Sequence, residues 1–383
     1  MSFDPEEILA APMASGDPAR FLVAADDFLT RGMPRLAASA LDRAHGLIPN
    51  DQAVQRQRLA VLDELAITEH GLVFRYVPAG IFLMGSTHGD PDERPAHPVR
   101  LGDYWVAQVP TTWAAYCHLL GWEPPPDGSP PDSHVWPAEA DDQELEPDTA
   151  FLFHEANKIR RQYCETETLK AVDHHAHNPD LVITSGGKEL STEEAFGRVP
   201  RADPTRPLAF DRKPMVGVRR REPHDLTERL STAGITYALP TEAEWEKAAR
   251  GGLIGCRWSW GDDVPTPARC DFDRYGDFRL GDPLDLPPNG YGLHGMCGGV
   301  WEWTSSWYDA LAYRRRAAMS VAARDPVDER PNEVEGARQV VRGGSWSDCA
   351  AAITTSFRMA MRATGLSASS PNVGFRLVRK VRA

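Results

Sequence analysis

Arg342-Gly343-Gly344-Ser345-Trp346, answered near the C-terminus by Asn372-Val373-Gly374-Phe375-Arg376, is the stretch on which the reading of this chain turns. Between the two lie Ser347 to Phe357 and Ala363 to Ser370, both free of Lys, Glu, Gln, Met and Trp. Those five types cannot arise from an asparagine codon by changes at its adenines alone. Cys349 is the one thiol close behind the Gly-Gly-Ser. Upstream, Leu239-Pro240-Thr241-Glu242-Ala243-Glu244-Trp245-Glu246 contains a capping box: the Thr241 hydroxyl caps a helix and Glu244 answers three residues on. Trp245 and Ala248 then face the core, and Gly251-Gly252 ends the helix. Six of the 11 Trp lie between Trp245 and Trp307 and are expected to wall that core.

Working outward, Val73 to Ser86 reads as two short strands around a Pro78-Ala79-Gly80 turn. His97 to Val106 alternates enough to be one further strand, and Thr111 to Leu120 forms an amphipathic helix with Thr111 as N-cap. Residues from about 17 to 66 read as helices. Phe21, Phe28, Ala37, Leu41 and Ala44 supply the apolar stripe, Gly32 the turn, and Pro49 the stop, in the manner of one tetratricopeptide repeat. Asp51 to Leu65 adds a third helix. A single repeat cannot build a solenoid, so a helical cap is expected. Between Glu123 and about Pro207 the chain is first Pro- and acid-rich, then helical from Phe151 to Lys170.

The net charge of −13 disfavours a nucleic-acid partner, and Arg219-Arg220-Arg221 and Arg314-Arg315-Arg316 read as solvated faces or ion-pair partners. No apolar run is long enough for a membrane span, and the acidic N-terminus lacks the features of a signal peptide. A cytoplasmic location is expected. The six Cys show no CxxC spacing and would be reduced there. His174-His175-Ala176-His177 reads as an exposed loop, as do Asp271, Asp273 and Asp277. No nucleophile elbow or phosphate loop is present.

With Asn289-Gly290-Tyr291-Gly292-Leu293 and Trp301-Glu302-Trp303, these motifs resemble the formylglycine-generating enzyme (sulfatase-modifying factor) family over about residues 72–122 and 208–379. The resemblance implies an α+β, C-type-lectin-like domain with little regular secondary structure. The expected organisation is a helical module at 1–70 and this domain at 71–383, with an insertion at about 123–207. The family's oxidases hold Cu(I) between two cysteines five residues apart behind the Gly-Gly-Ser, because a two-coordinate soft ion selects thiolates. Counted forward from Ser345, the first of these falls on Asp348. Counted back from Arg358 with one inserted residue it falls on Cys349, and the second on Thr354. The pair is therefore missing and no copper is expected. A weak calcium site is implied at Glu302 with the carbonyls of Gly298 and Val300, although Gly295 replaces the usual Asn.

The terminal segment also resembles that of variable proteins from diversity-generating retroelements, which use the same domain to display a binding surface. This implies a non-catalytic module for a protein or small-molecule ligand. Its contacts would come from Trp346, Ser347, Asp348, Cys349, Ala350, Ala352, Ile353, Thr354, Thr355 and Phe357, then Thr364, Leu366, Ser367 and Ser369. Ser347, Asp348, Ala350 and Ala352 to Thr355 are expected to face outward on a frame of Trp346, Arg358, Arg362, Phe375 and Arg376. The alternative is a metal-dependent oxidase or oxygenase using Cys349 beside Ser345, with Arg358 or Arg362 favouring the thiolate.

Overall fold

The computed structural model describes residues 4–10, 16–119, 183–185, 188–190, 212–216, 218, 220–274, 280–319, 337–362 and 372–382. The insertion from 123 lies outside them, apart from a short hairpin of β6 (Ile183–Ser185) and β7 (Lys188–Leu190). The expected helix at 151–170 and the His174 to His177 loop also lie outside.

At the N-terminal end stand α1 (Pro5–Ala10), α2 (Pro18–Thr30), α3 (Pro34–Leu47) and α4 (Gln52–Glu64). Asp17 and Asp51 start α2 and α4 by accepting hydrogen bonds from backbone N–H groups of the first turn. Phe21, Ala24, Ala25 and Phe28 of α2 are buried, as are Ala37, Ala40, Leu41 and Ala44 of α3, so the pair packs through small residues at close range. The α3–α4 pair is also locked to the rest of the molecule. Arg58, 1% exposed, donates to Asp42 Oδ1 at 2.7 Å and to the carbonyls of Gly251 and Gly290 at 3.0 and 2.8 Å. Tyr291 Oη donates to the other Asp42 oxygen at 2.9 Å. Burial would raise the Asp42 pKa, but the Arg58 charge outweighs it and holds the carboxyl low.

An antiparallel five-stranded sheet follows, ordered β1 (Ile67–Glu69), β2 (Leu72–Val77), β5 (Tyr104–Ala107), β13 (Val378–Val381) and β8 (Ile235–Ala238). The last strand thus closes between early and middle segments. The single strand expected over 97–106 is two. β4 (His97–Leu101) pairs with β3 (Gly80–Met84), the chain turns at Gly102-Asp103, and β5 joins the larger sheet instead. Helix α5 (Trp113–Leu119) is capped by Thr112, whose Oγ1 accepts from Ala115 N at 3.3 Å, rather than by Thr111, whose side chain is buried. A four-stranded sheet, β11 (Met359–Arg362), β10 (Arg338–Arg342), β9 (Trp301–Trp307) and β12 (Val373–Gly374), has β12 parallel to β9 and its other pairs antiparallel.

Helices α6 (Arg221–Leu230), α7 (Glu242–Arg250) and α8 (Ala312–Ala318) complete the described elements, with a single 3-10 turn at Pro283–Asp285. The capping box of α7 is present as the sequence reads it, and Gly251 ends the helix with φ 59°. Trp245, Trp258, Trp301 and Trp303 are buried around it, whereas Trp260 and Trp307 are partly exposed.

Candidate functional site

Strand β10 runs into the Gly-Gly turn and β11 returns on it, Val341 opposite Met359. Residues 343–358 are therefore one long excursion from the end of a hairpin. Gly343 and Gly344 have φ of 100° and 71°, a region that residues with a Cβ avoid. A Cβ on Gly344 would stand 2.5 Å from Ile353 Cγ2, so the excursion folds back directly over the glycine.

Buried arginines hold the excursion from inside. Arg342 donates to the carbonyls of Thr355 at 2.8 Å and Ser356 at 2.6 Å, to that of Phe357, and to the Glu246 carboxylate. Arg358 binds Glu242 through two nitrogens and donates to the carbonyls of Asp92 and Asp309 at 3.0 and 3.2 Å. Its guanidinium lies 4.4 Å from the centre of the Tyr313 ring. Burial would raise the Glu242 pKa, but the charges of Arg358 and Arg342 prevail and hold it at about 2. Arg358 is thus committed to the frame and is not available to favour a Cys349 thiolate.

A second centre joins Arg376 and Glu302, both 0% exposed. Arg376 Nε and Nη2 donate to the two carboxylate oxygens at 2.8 Å each, and Trp245 Nε1 adds a third bond at 2.7 Å. A guanidinium therefore occupies the oxygens that calcium would need. Glu302 does not fit the calcium role expected of it with Gly298 and Val300.

The copper positions fit no better. Asp348 Oδ2 accepts from Ser345 N and from Trp301 Nε1, both at 2.9 Å, and from the Ser345 hydroxyl. Asn372 Nδ2 donates to Ser345 Oγ at 3.0 Å. Ser345 is 0% exposed, its hydroxyl held between Asp348 and Asn372. Five residues beyond Asp348, Ile353 is 0% exposed and shares a satellite core with Trp258, Cys270 and Cys297. On the other count the pair is Cys349, which is exposed, and Thr354, a hydroxyl. Burial pushes the Cys297 thiol up to about 11 and Cys270 up to about 12, with the neighbouring Cys297 adding to the latter, which disfavours the thiolate in both. Cys256, Cys270, Cys297 and Cys349 are all free.

Of the expected outward residues, Ser347, Asp348, Ala350, Ala352 and Thr354 are partly exposed, and Cys349, an expected contact residue, is exposed. Ile353 and Thr355 turn inward instead. Thr355 is 0% exposed and its hydroxyl donates to the carbonyls of Cys256 and Arg257 at 3.2 Å. Trp346, 2% exposed, belongs to the frame and not to a contact surface. Phe357 is half-buried, its ring 5.9 Å from that of Trp301. Thr364, Leu366, Ser367 and Ser369 lie outside the described residues.

The outer side of the excursion forms one wall of a cleft of about 990 Å³. Ala350, Ala351, Thr354, Ser356 and Phe357 line that wall. Gly85 to Asp90 with Glu93 line the second, and Gly255 to Trp258 with Asp262, Val264 and Pro265 the third. Arg250 also reaches the cleft, but it is bound to Glu246 at 2.7 Å. The contributions of Ala351, Ser356 and the two loops were not visible in the sequence. Nothing in the sequence marks Glu93 as the neighbour of Ser356, 263 residues later.

The family model for the sulfatase-modifying factor enzyme 1-like domain matches residues 68–381, most of the chain, and the protein belongs to that family. Among curated relatives, the formylglycine-generating enzyme of Streptomyces coelicolor is 38% identical over 152 residues, 36% of this chain and 45% of that protein. The Mycobacterium tuberculosis formylglycine-generating enzyme is 27% identical over 325 residues, 79% of this chain and 96% of the other. The chain spans under half the length of the first relatives it matches. Solved structures with a similar arrangement include PvdO from Pseudomonas aeruginosa, with TM-score 0.49 and 16% identity over 82% of this chain and 97% of that one. Treponema denticola variable protein 1 has TM-score 0.44 and 19% identity over the same shares.

Proposed function

We propose that this protein is a ligand-binding member of its family that performs no thiol-based oxidation, with the cleft beside residues 350–357 as its contact site. One observation carries the reading: neither count from the family motif yields two sulfurs. Asp348 is hydrogen-bonded into the frame and Ile353 is core, while Cys349 stands exposed with Thr354 as its only counterpart. A linear soft-metal site needs both thiolates. The cleft, by contrast, has the size and mixed lining of a recognition site. Affinity would come from a few packed anchors, Phe357 among them, rather than from area alone.

The ligand is a protein or small molecule rather than nucleic acid or a membrane, in keeping with the charge of −13 and with the absence, among the described residues, of a helix able to cross a bilayer. We infer a cytoplasmic location with reduced thiols. The small, neutral residues at 347, 350, 351, 352 and 354 suit a surface whose side chains can vary while the arginine frame beneath them stays fixed.

The test is to load purified protein anaerobically with Cu(I), challenge it with a competing chelator, and follow oxygen uptake with a cysteine-containing peptide. Copper should be stripped and no oxygen consumed, with or without Cys349→Ser. One copper per chain, retained by the unaltered protein and lost from C349S, would replace binding with oxidation.

A further inference from the structure

A second cavity, of about 360 Å³, opens beside the root of the terminal loop. Among the described residues it shares no lining residue with the cleft. Gly298 and Gly299 line it and are bonded to that root: Gly298 N donates to Gly343 O at 2.8 Å, and Gly299 O accepts from Trp346 N at 2.9 Å. Asp271 and Arg274, also on the lining, are tied to the same places. Gly299 N donates to Asp271 O at 2.7 Å and Arg274 N to Trp346 O at 2.8 Å. Missing side chains keep the space open. A Cβ on Gly299 would meet nothing within 4 Å among the described residues beyond its chain neighbours. One on Gly295 would stand 3.7 Å from both Pro110 Cδ and Pro283 Cβ, touching two walls at once.

The walls are apolar and stiff. Pro110, Pro214, Pro267 and Pro283 come from separate segments, and each ring fixes φ in the backbone it stands on. Pro214 is bridged to Thr112, and Pro283 opens a 3-10 turn that Asp282 caps. Phe272, half-buried, adds an aromatic ring, and Leu280 and Val300, 4% and 1% exposed, add aliphatic surface. The charges on the lining are answered within the protein. Arg274 donates to both oxygens of Asp271, and Asp282 is paired with Arg212 at 2.6 Å. The remaining one, Asp285, is exposed.

We propose that this cavity is a second binding site, one that takes an uncharged aromatic molecule. Its volume falls in the range of small-molecule pockets, which begins at about 300 Å³. Phe272 offers an incoming ring an offset or edge-to-face partner. Walls already fixed by proline lose little freedom when they close on a ligand. A charged molecule would give up its hydration and find Asp271, Arg274 and Asp282 already paired.

Indole is the probe, with indole-3-acetate and tryptamine as its anionic and cationic counterparts. Calorimetry and ligand-observed NMR follow their binding to the full chain. Indole should bind, and both charged analogues should bind about tenfold or more weakly, because their charges would be buried unpaired. Phe272→Ala should weaken indole roughly tenfold through loss of one aromatic contact. Leu286→Trp, at a half-buried lining position, should abolish binding by filling the cavity, and it decides the matter if F272A fails to fold by its melting curve. Glu64→Gln, on the exposed side of α4, should change nothing. Absence of indole binding, equal binding of either charged analogue, or undiminished binding in every folded variant would overturn the proposal. Because the two lining sets are separate, none of these results bears on recognition in the cleft.

Discussion

The inner and outer faces of residues 343–358 obey opposite rules. The inner face is dense with charge: Arg342 and Arg358 meet Glu246 and Glu242 directly, and three consecutive carbonyls are satisfied by one guanidinium. The outer face is small and nearly neutral: Ala350 and Ala352 are half-buried against core residues, Ala351 is exposed, and Thr354 Oγ1 accepts from Phe357 N at 3.2 Å. The difference teaches how an irregular loop can be rigid without being rich in contacts of its own. Its backbone is fixed from behind, so its side chains need not contribute to folding.

The sharpest way to break that division is to remove the inner charge. Arg342→Met should cost about 3–5 kcal/mol, because Glu246 and three buried carbonyls lose their partner; chemical denaturation measures it. A loss below about 1 kcal/mol would mean the loop does not depend on the arginine. Gly344→Ala should come next, at about 1–3 kcal/mol, since the backbone is left-handed and the new methyl meets Ile353. Acid titration probes the same centre. Glu242 is held at about 2 against an ordinary 4.5, so its contribution is fully present above pH 4.5 and is lost as pH falls from there toward 2. Melting curves across that window should lose stability more steeply for the unaltered protein than for Glu242→Gln.

Thr355→Val should cost about 1 kcal/mol, from the loss of a buried hydroxyl that two half-buried carbonyls share as a donor. Thr354→Ala, one residue away on the outer face, removes only the acceptor of the Phe357 N–H and should cost less, about 0.5 kcal/mol. That adjacent pair is the finest test of the boundary. Natural variation offers another. Should the encoding segment prove diversified, codons 347, 350, 351 and 354 should vary while 353 and 355 stay fixed. Variation at 353 or 355 would show that the division drawn from burial is wrong.

Much of the frame was legible in the chain itself. The capping box at Thr241 and Glu244 and the glycine stop at Gly251 have local signatures, because caps and left-handed turns are set by neighbours in sequence. Orientation within the terminal loop was less legible. Ser, Thr and Ala suit either face, and only the fold-back over Gly344 decides that Ile353 and Thr355 point inward. The partners of the buried carboxylates were invisible for a related reason. Glu302 reads like a cation ligand until Arg376, 74 residues later, is seen to supply the positive charge. The turn at Gly102-Asp103 was missed because strand-forming residues stand on both sides of it, and only the different partners of the two strands separate them.

The reach of Arg58 from α4 to the Gly251 and Gly290 carbonyls has a practical corollary for anyone shortening this molecule. A version starting at Leu72 would lack the guanidinium that closes the end of α7, and would uncover the phenol of Tyr291 and the apolar floor beneath it. Such a fragment would be expected to clump rather than behave as a free-standing unit, so the first seventy residues are better regarded as part of the same folding reaction than as a detachable handle.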